Sequence, residues 1–412
     1  MTARISSVTT ARFAVIAGAA IASVGFALPE AGANNVSIQF SGHLAGNGVS
    51  TNGVGISRDG RYVVGSSRGP SSLPEEAILW DTWAGSGPSA ITGLGQLPGG
   101  QNRSSAAAVN ADGSVVVGRA WSGTAPFESY RWTSASGMVG IGDFAGGVAN
   151  QSSAWSVSAD GSVVVGSGFA PDGSRAYAWT QTGGFEQVDP IPGGAFSESR
   201  VISGDARLMG VNSSGGSLGG LRPSIYSRET NTHVTIIPNG PGMTVSSIYG
   251  LADDGTAAAG SGTFNDGINS YSTPYHWTAD GGTQSLGILG FVDTGASIVR
   301  QAEAFAMSAD GRVVVGSSTN EGRFFEAFIW DAENGMRSLE DVVRDAGIDL
   351  GDWWLERATG VSADGNVITG FATNQNIGAG LGTQAFVIVI PAPGTASVLA
   401  LGLAAAVRRR RR

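Results

Sequence analysis

The sequence predicts an all-β protein: a seven-bladed β-propeller of four-stranded antiparallel blades, its last blade closed by the N-terminal strand. Three observations carry that expectation. First, the segment Val-Ser-Ala-Asp-Gly-Ser-Val-Val-Val-Gly at residues 157–166 has near copies along the 412-residue chain, with glycines aligned at Gly65, Gly118, Gly166, Gly210, Gly260, Gly316 and Gly370. Second, the copies lie 53, 48, 44, 50, 56 and 54 residues apart, a period that suits one four-stranded unit per copy arranged around an axis. Third, the seventh copy lacks a fourth strand, and a spare strand stands near the N-terminus to complete it.

The chain divides into residues 1–33, 34–390 and 391–412. Residues 1–33 read as a secretory signal: Arg4 and Arg12 give the basic region, residues 13–28 are apolar or small, and Ala31-Gly32-Ala33 fits the small-x-small cleavage pattern. The mature chain then begins near Asn34. Residues 36–42, Val-Ser-Ile-Gln-Phe-Ser-Gly, are the spare strand, and Leu44-Ala45-Gly46 follows at the turn position. Pairing this strand with the seventh unit leaves no open seam for edge-to-edge association.

The third copy defines one blade. Residues 154–158 alternate as strand A, Asp160-Gly161 is a tight-turn pair of type I′ character, and the β-branched residues 163–166 are a buried strand B. A loop at 167–175 leads to strand C at 176–179 and strand D at 184–188, and Pro192-Gly193-Gly194 turns into the next unit. Strand C recurs as Ala77-Ile78-Leu79-Trp80, Ser129-Tyr130-Arg131-Trp132, Pro274-Tyr275-His276-Trp277 and Ala327-Phe328-Ile329-Trp330. The fourth copy has Tyr226 for the Trp and reverses its turn to Gly204-Asp205; the seventh ends in Ala385-Phe386-Val387-Ile388. From the strand B glycine to the Trp position runs 13 to 18 residues, so the B–C loop carries the variation in length, and loops are where binding usually sits. One helix interrupts the pattern between units six and seven: Leu339, Val342, Val343 and Ala346 share a face, Ser338 and Asp341 form a capping pair, and Gly347 ends it.

The C-terminal segment has its own order. Pro391-Ala392-Pro393-Gly394 precedes 13 apolar or small residues, 395–407, and then Arg408, Arg409, Arg410, Arg411 and Arg412. Thirteen residues is short for a spanning helix of about 20, and the arginines would hold its end on the cytoplasmic side. This segment resembles a PEP-CTERM sorting signal, with Ala392 where the family name has Glu. The resemblance implies processing by an exosortase-type enzyme at a bacterial envelope, after signal peptidase has acted at the other end. The Ser-Ala-Asp-Gly, Val-Val-Val-Gly and Ala-Phe-Ile-Trp segments resemble the extracellular repeat of the HAF family across most of residues 37–389. That resemblance implies an exported repeat protein and no particular activity.

Composition narrows the function. There is no Cys and no Lys, and all 24 basic residues are Arg, so disulfides and thiolate metal sites are excluded. Between residues 34 and 390 there are 17 Arg against 32 Asp and Glu, a net charge of −15. A body this acidic argues against nucleic acid, whose phosphates require basic side chains. His43, His233 and His276 are the only histidines, and no pair has metal-ligand spacing.

Two Gly-x-Ser-x-Gly matches, residues 65–69 and 215–219, lack the following helix that a nucleophile elbow needs. The pairs Glu75-Glu76, Asp253-Asp254 and Glu340-Asp341 are sequence neighbours, which a strand points to opposite faces. The recurrent Asp59, Asp112, Asp160, Asp254, Asp310 and Asp364 belong to the turn. Calcium is compatible with so many oxygen ligands, yet no twelve-residue loop or nonapeptide motif is present, so no cofactor is expected.

Trp80, Trp132, Trp179, Trp277 and Trp330 repeat at one position and read as packing between blades. Trp83, Trp121, Trp353 and Trp354 fall outside it and are the candidate binding residues, able to stack on sugar rings or a protein partner. The expected function is an exported, cell-surface or matrix scaffold that binds polysaccharide or protein without catalysis, touching the membrane only through its C-terminal segment. The alternative is a glycoside hydrolase or polysaccharide lyase, which requires carboxylates from different blades to converge in one pocket. A third reading is a purely structural matrix protein.

Overall fold

The computed structural model describes residues 36–391 apart from 46–49, 70–74, 148–150, 215–219, 240–241, 296 and 378–381. The signal segment with Ala31 and Ala33, the sorting residues Ala392, Pro393 and Gly394, and Arg408 to Arg412 lie outside the described residues, as does the second Gly-x-Ser-x-Gly match.

Blade 3 shows the plan: strand A at Ser152–Val157, B at Val163–Ala170, C at Gly173–Thr180 and D at Gly184–Val188, antiparallel in that order. Strand A begins two residues earlier than read from sequence and stops one short, at Val157, because Ser158 closes the turn; strand B runs four residues further, and strand C gains three residues at its start and one at its end. Six further four-stranded units repeat the plan. Their strands A are Ser50–Ile56, Ser104–Val109, Ser197–Ile202, Met243–Leu251, Ala302–Met307 and Trp353–Val361.

Closure is as expected. Ser37–Phe40 pairs antiparallel with Thr383–Val389, Ser37 facing Val389 and Phe40 facing Phe386, and so forms strand D of blade 7. The Ser41 N–H continues the ladder to the Ala385 carbonyl at 2.9 Å. Blades 7 and 1 also meet directly, through a bridge between Ser50 and Thr383 and through the Thr359 hydroxyl, which donates to the Gly53 carbonyl at 2.9 Å.

The recurrent strand B glycine has a steric cause. In six blades strand A carries a β-bulge opposite it; in blade 3 the register jumps at Trp155, so one inner residue drops out of the ladder. The fourth copy departs from the sequence alignment, because Val211 stands opposite its bulge and Gly210 lies one residue earlier. The bulge pushes a strand A carbonyl toward strand B. A Cβ on Gly166 would lie 2.0 Å from the Ser153 carbonyl oxygen, and one on Gly316 2.0 Å from that of Glu303. The other side of each glycine is covered by the strand C residue paired with it. Gly166 faces Tyr177, Gly316 faces Phe328 and Gly370 faces Phe386, all fully buried.

The A–B turn differs from the type I′ hairpin the Asp-Gly pair predicts. Gly161 has φ 74°, whereas Asp160 is not among the residues with positive φ, and a type I′ turn requires both. The turn is a four-residue loop closed from Ser158. Its N–H donates to the Val163 carbonyl and its carbonyl accepts from Gly161. The buried Ser158 hydroxyl donates to Asp160 Oδ1 at 2.6 Å and accepts from the Val163 N–H at 3.0 Å. Blade 4 is not reversed: Ala206, at φ 63°, takes the glycine place, and Gly204 takes the alanine place.

The turn residues between Ser and Asp link blade to blade. The N–H of Ala111 donates to the Ala159 carbonyl, Ala159 to Gly204, Asp253 to Ala309, Ala309 to Ala363, and Ala363 to Arg58, all at 2.9–3.0 Å. The Gly204 N–H donates instead to Asp253 Oδ1 at 2.7 Å. A hydrogen-bonded girdle thus joins the inner turns of all seven blades.

The cores lie between blades. Val64, Ala77, Val109 and Tyr130 join blades 1 and 2, and the other clusters repeat this arrangement. The repeated Trp residues belong to these clusters: Trp132, Trp179 and Trp277 pack against them, and Trp80 and Trp330 are buried in them. The one α-helix among the described residues, Leu339–Asp345, is capped by Ser338, whose hydroxyl accepts the Asp341 N–H. It buries Leu339 and Val343 among residues of blades 6 and 7. A short hairpin, Val292–Asp293 with Ile298–Val299, was not foreseen; it sits in the longest interval between copies.

Candidate binding face

Antiparallel blades place the A–B and C–D turns at one end of the ring and the B–C loops and blade-to-blade connections at the other. At the A–B end, two of the seven girdle positions are not small: Arg58 and Asp253. They belong to blades 1 and 5 and form a two-pronged ion pair across the mouth. A Cβ on Gly204 would lie 2.8 Å from the Arg58 guanidinium, so the fourth blade has room for that arginine by lacking a side chain. The space behind the pair is about 150 Å³.

The candidate residues separate between the two ends. Trp83 follows strand C of blade 1 at the A–B end; it is 67% exposed, with the Arg61 guanidinium 4.8 Å from its ring. Trp121, Trp353 and Trp354 lie at the B–C end, so the four do not form one site. Trp353 is structural, stacked on Phe40 of the closing strand with ring centroids 4.5 Å apart.

Eight of the ten arginine–aromatic contacts among the described residues lie away from the A–B turns, at the B–C end or along the inner strands that lead to it. Two groups stand out. In blades 6 and 7, Arg323 lies 4.1 Å from the exposed Trp354 ring and Arg357 lies 4.3 Å from the exposed Phe325 ring. In blades 2 to 4, Arg103 lies over Trp121, Arg119 over both Phe127 and Trp155, and Arg200 over Trp155. Trp155, Arg200 and Phe305 are bulge residues of strand A, as are Val54 and Ala107. The repeat is therefore constant around the bulge and variable at it. The indole nitrogens of Trp121 and Trp155 are enclosed without an acceptor, so stacking holds those rings.

The groups weighed for catalysis are held in structural networks. The His43 ring reaches Thr51 Oγ1 at 3.2 Å, and Thr51 reaches Ser67 Oγ at 3.1 Å. Ser67, the centre of the first Gly-x-Ser-x-Gly match, is fully buried, and strand C follows instead of a helix. His233 contacts Ser224 Oγ and the Asp189 carbonyl with its two ring nitrogens. His276 contacts the Gly311 carbonyl at 2.8 Å and lies against Trp330. Burial lowers the pKa of all three.

Glu326 and Glu340 converge from blade 6 and the helix, both buried, on Arg323. Glu340 also accepts the Leu355 N–H at 2.9 Å; burial raises its pKa, with the Arg323 charge opposing. This is a packing network tying blade 6 to blade 7. A cavity of about 620 Å³ beside the helix is lined by Asp341 and Asp345 with Asn320 and Arg337. Its two carboxylates come from one helix, four residues apart and on one face, so they do not flank a substrate. Among the described residues no group of three or more His, Asp or Glu could hold a metal ion.

No family model matches this chain, and no curated protein matches it. Its fold is similar to solved structures. An oligogalacturonate lyase in complex with manganese shares 10% identity over 87% of this chain and 98% of its own, at a TM-score of 0.52. The β-propeller domain of the Trilobed protease from Pyrococcus furiosus shares 10% over 85% of this chain and 95% of its own, at a TM-score of 0.51. A TolB from Acinetobacter baumannii shares 13% identity at a TM-score of 0.43, and the chain spans 63% of its length. The class of protein that the first two likenesses define is the β-propeller.

Proposed function

We propose that this protein is an exported, non-catalytic scaffold of the bacterial cell surface whose B–C face binds polysaccharide. The observation that carries the reading is the pair of exposed aromatic rings, Phe325 and Trp354, each set beside an arginine on that face. Flat apolar rings stack on the C–H faces of sugars, and neighbouring guanidinium groups donate to hydroxyl or acid oxygens. The opposite mouth is occupied by Arg58 and Asp253, so ligands approach from the B–C side.

Export rests on the two terminal segments. The first strand opens at Ser37, just past Ala31 and Ala33, and the last closes at Val389, just before Pro391. Processing by signal peptidase and an exosortase-type enzyme would thus leave the ring intact. The HAF-like repeat agrees with an extracellular setting. A glycan array on the mature chain, with turnover assays on the glycans retained, tests the binding reading. Retention without turnover is expected. Turnover, or no retention of any glycan, overturns it. Mass spectrometry of the surface protein checks the two cleavages.

A further inference from the structure

Trp155 and Arg200 hold the same bulge position in blades 3 and 4, where blade 2 has Ala107. The Arg200 guanidinium carbon lies 4.1 Å from the Trp155 ring, and that of Arg119, from strand B of blade 2, lies 5.3 Å from the same ring. Arg119 also stands 4.7 Å from Phe127. One indole therefore holds two arginines from two other blades.

The two arginines differ in their partners. Arg200 is matched by Glu198 through two contacts of 3.1 Å. Arg119 makes no hydrogen bond or ion pair among the described residues. Its nearest charges include Arg200 and Arg103, and burial, followed by the repulsion from Arg200, depresses its pKa, with Glu75 opposing. Glu75 is itself paired to Arg103 at 3.3 Å. Three arginines against two carboxylates leave one excess positive charge, centred on Arg119. Stacked against two aromatic rings, its guanidinium keeps its in-plane N–H groups for a planar or tetrahedral oxyanion. The acidity of the whole chain does not cancel this, because its field is screened beyond about 8 Å at physiological ionic strength.

We propose that the Arg119–Trp155–Arg200 stack is a receptor for the acid groups of an acidic polysaccharide, carboxylate or sulfate. This rests on the glycan-binding reading of the B–C face and names its substrate class. Arg119 is the primary contact; Trp155 positions it, and Arg200 supplies a second charge beside it.

The test is affinity electrophoresis of the folded chain in polygalacturonate, dextran sulfate and neutral dextran at 0.15 M salt, an ionic strength at which distant charges are screened. Arg119→Gln is compared with Arg312→Gln, which removes the same charge from an 84%-exposed side chain at the A–B end. Retardation by polygalacturonate or dextran sulfate above that by dextran is expected; which of the two is stronger separates carboxylate from sulfate. Arg119→Gln should weaken it about tenfold or more, as loss of one charge-assisted hydrogen-bonding group does. Arg312→Gln should leave it unchanged, and Arg119→Lys should restore part of it. Equal weakening by Arg312→Gln overturns the proposal. Equal retardation by dextran, insensitive to Arg119→Gln, overturns it while leaving the glycan reading intact. Absence of retardation by every glycan overturns both.

Discussion

Gly166→Ala and Gly210→Ala are the same substitution one repeat position apart, and the structure assigns them different costs: Gly166 stands opposite Ala154, before the bulge, whereas in blade 4 Val211 holds that place opposite Ser199. Neither glycine has a positive φ, so the backbone tolerates alanine at both, and the contrast is steric. At Gly166 the new Cβ would lie 2.0 Å from the Ser153 carbonyl oxygen and 2.7 Å from the Tyr177 hydroxyl. The carbonyl is fixed by the bulge, and the hydroxyl is hydrogen-bonded to Ser129 Oγ at 2.8 Å in the core. Relief requires the bulge to open, an overpacking cost of about 3 kcal/mol.

In blade 4 the bulge keeps its place at Arg200, but Gly210 lies one residue before the position opposite it and faces Val201. The nearest atom to its new Cβ is the Val201 Cγ1 methyl at 2.5 Å, followed by Ile248 methyls at 3.1 Å and beyond. Side chains yield where a carbonyl cannot. The cost there is about 1 kcal/mol, reduced further by the roughly 0.4–1 kcal/mol that alanine takes from the entropy of the unfolded chain. The assay is urea unfolding followed by circular dichroism, backed by calorimetry. For a ring of this size about 3 kcal/mol corresponds to roughly 4 °C in Tm. Gly166→Ala should shift both midpoints by that order, and Gly210→Ala should barely move them. Equal losses at the two sites would refute the bulge explanation of the repeat.

Other outcomes follow from the same geometry. Ala206→Gly should raise stability by about 1 kcal/mol, because an L-residue at φ 63° costs about that much over glycine; a neutral or lower urea midpoint contradicts it. Asp253→Ala should cost about 2 kcal/mol, combining a one-third-exposed ion pair worth at most about 1 kcal/mol with an unsatisfied Gly204 N–H. Asp253→Asn, which keeps an acceptor, should cost less by the same measurement. Phe40→Ala removes a stacked ring from the closing strand and should cost about 2 kcal/mol, whereas the exposed Phe324→Ala should not.

The turn aspartates give a pH dependence. Hydrogen bonds from Ser114, Ser158 and Thr256 hold Asp112, Asp160 and Asp254 below the ordinary aspartate pKa. Their folded pKa is depressed, so their stabilisation is complete above the unfolded value and is lost as pH falls through the folded one. The urea midpoint should thus decline below about pH 4, the ordinary aspartate value. Asp160→Asn should shorten that decline.

Most of the ring was legible in the chain because repetition exposes it. Six of the seven aligned glycines, the Trp of strand C and the missing fourth strand of unit seven each had one structural reading, and the Ser37–Phe40 closure followed; Gly210 was misaligned, because Val211 holds the glycine place in unit four. The turn type was not legible. Asp-Gly signals a tight hairpin, and the serine that closes a four-residue loop instead acts through its side chain. The Val292–Val299 hairpin was hidden because two-residue strands leave no periodicity. The proposed binding face was legible only in part: Trp121 and Trp354 belong to it, while Trp83 lies at the other end. Trp155 and Arg200 escaped notice because a bulge breaks the alternation that assigns residues to faces. Arg58 and Asp253 carried a readable signal, opposite charges replacing alanine at one repeat position in two copies.

On the proposed reading, the constant residues build the ring and the aromatic residues of the B–C face bind glycan. That reading is tested most directly by glycan retention of the double variant Phe325→Ala/Trp354→Ala, set against Trp83→Ala at the opposite end. The double variant should lose at least about tenfold in affinity, from about 1.4 kcal/mol of lost stacking, with Trp83→Ala indistinguishable from the parent. Unchanged retention in the double variant, or an equal loss on removing Trp83, would contradict it.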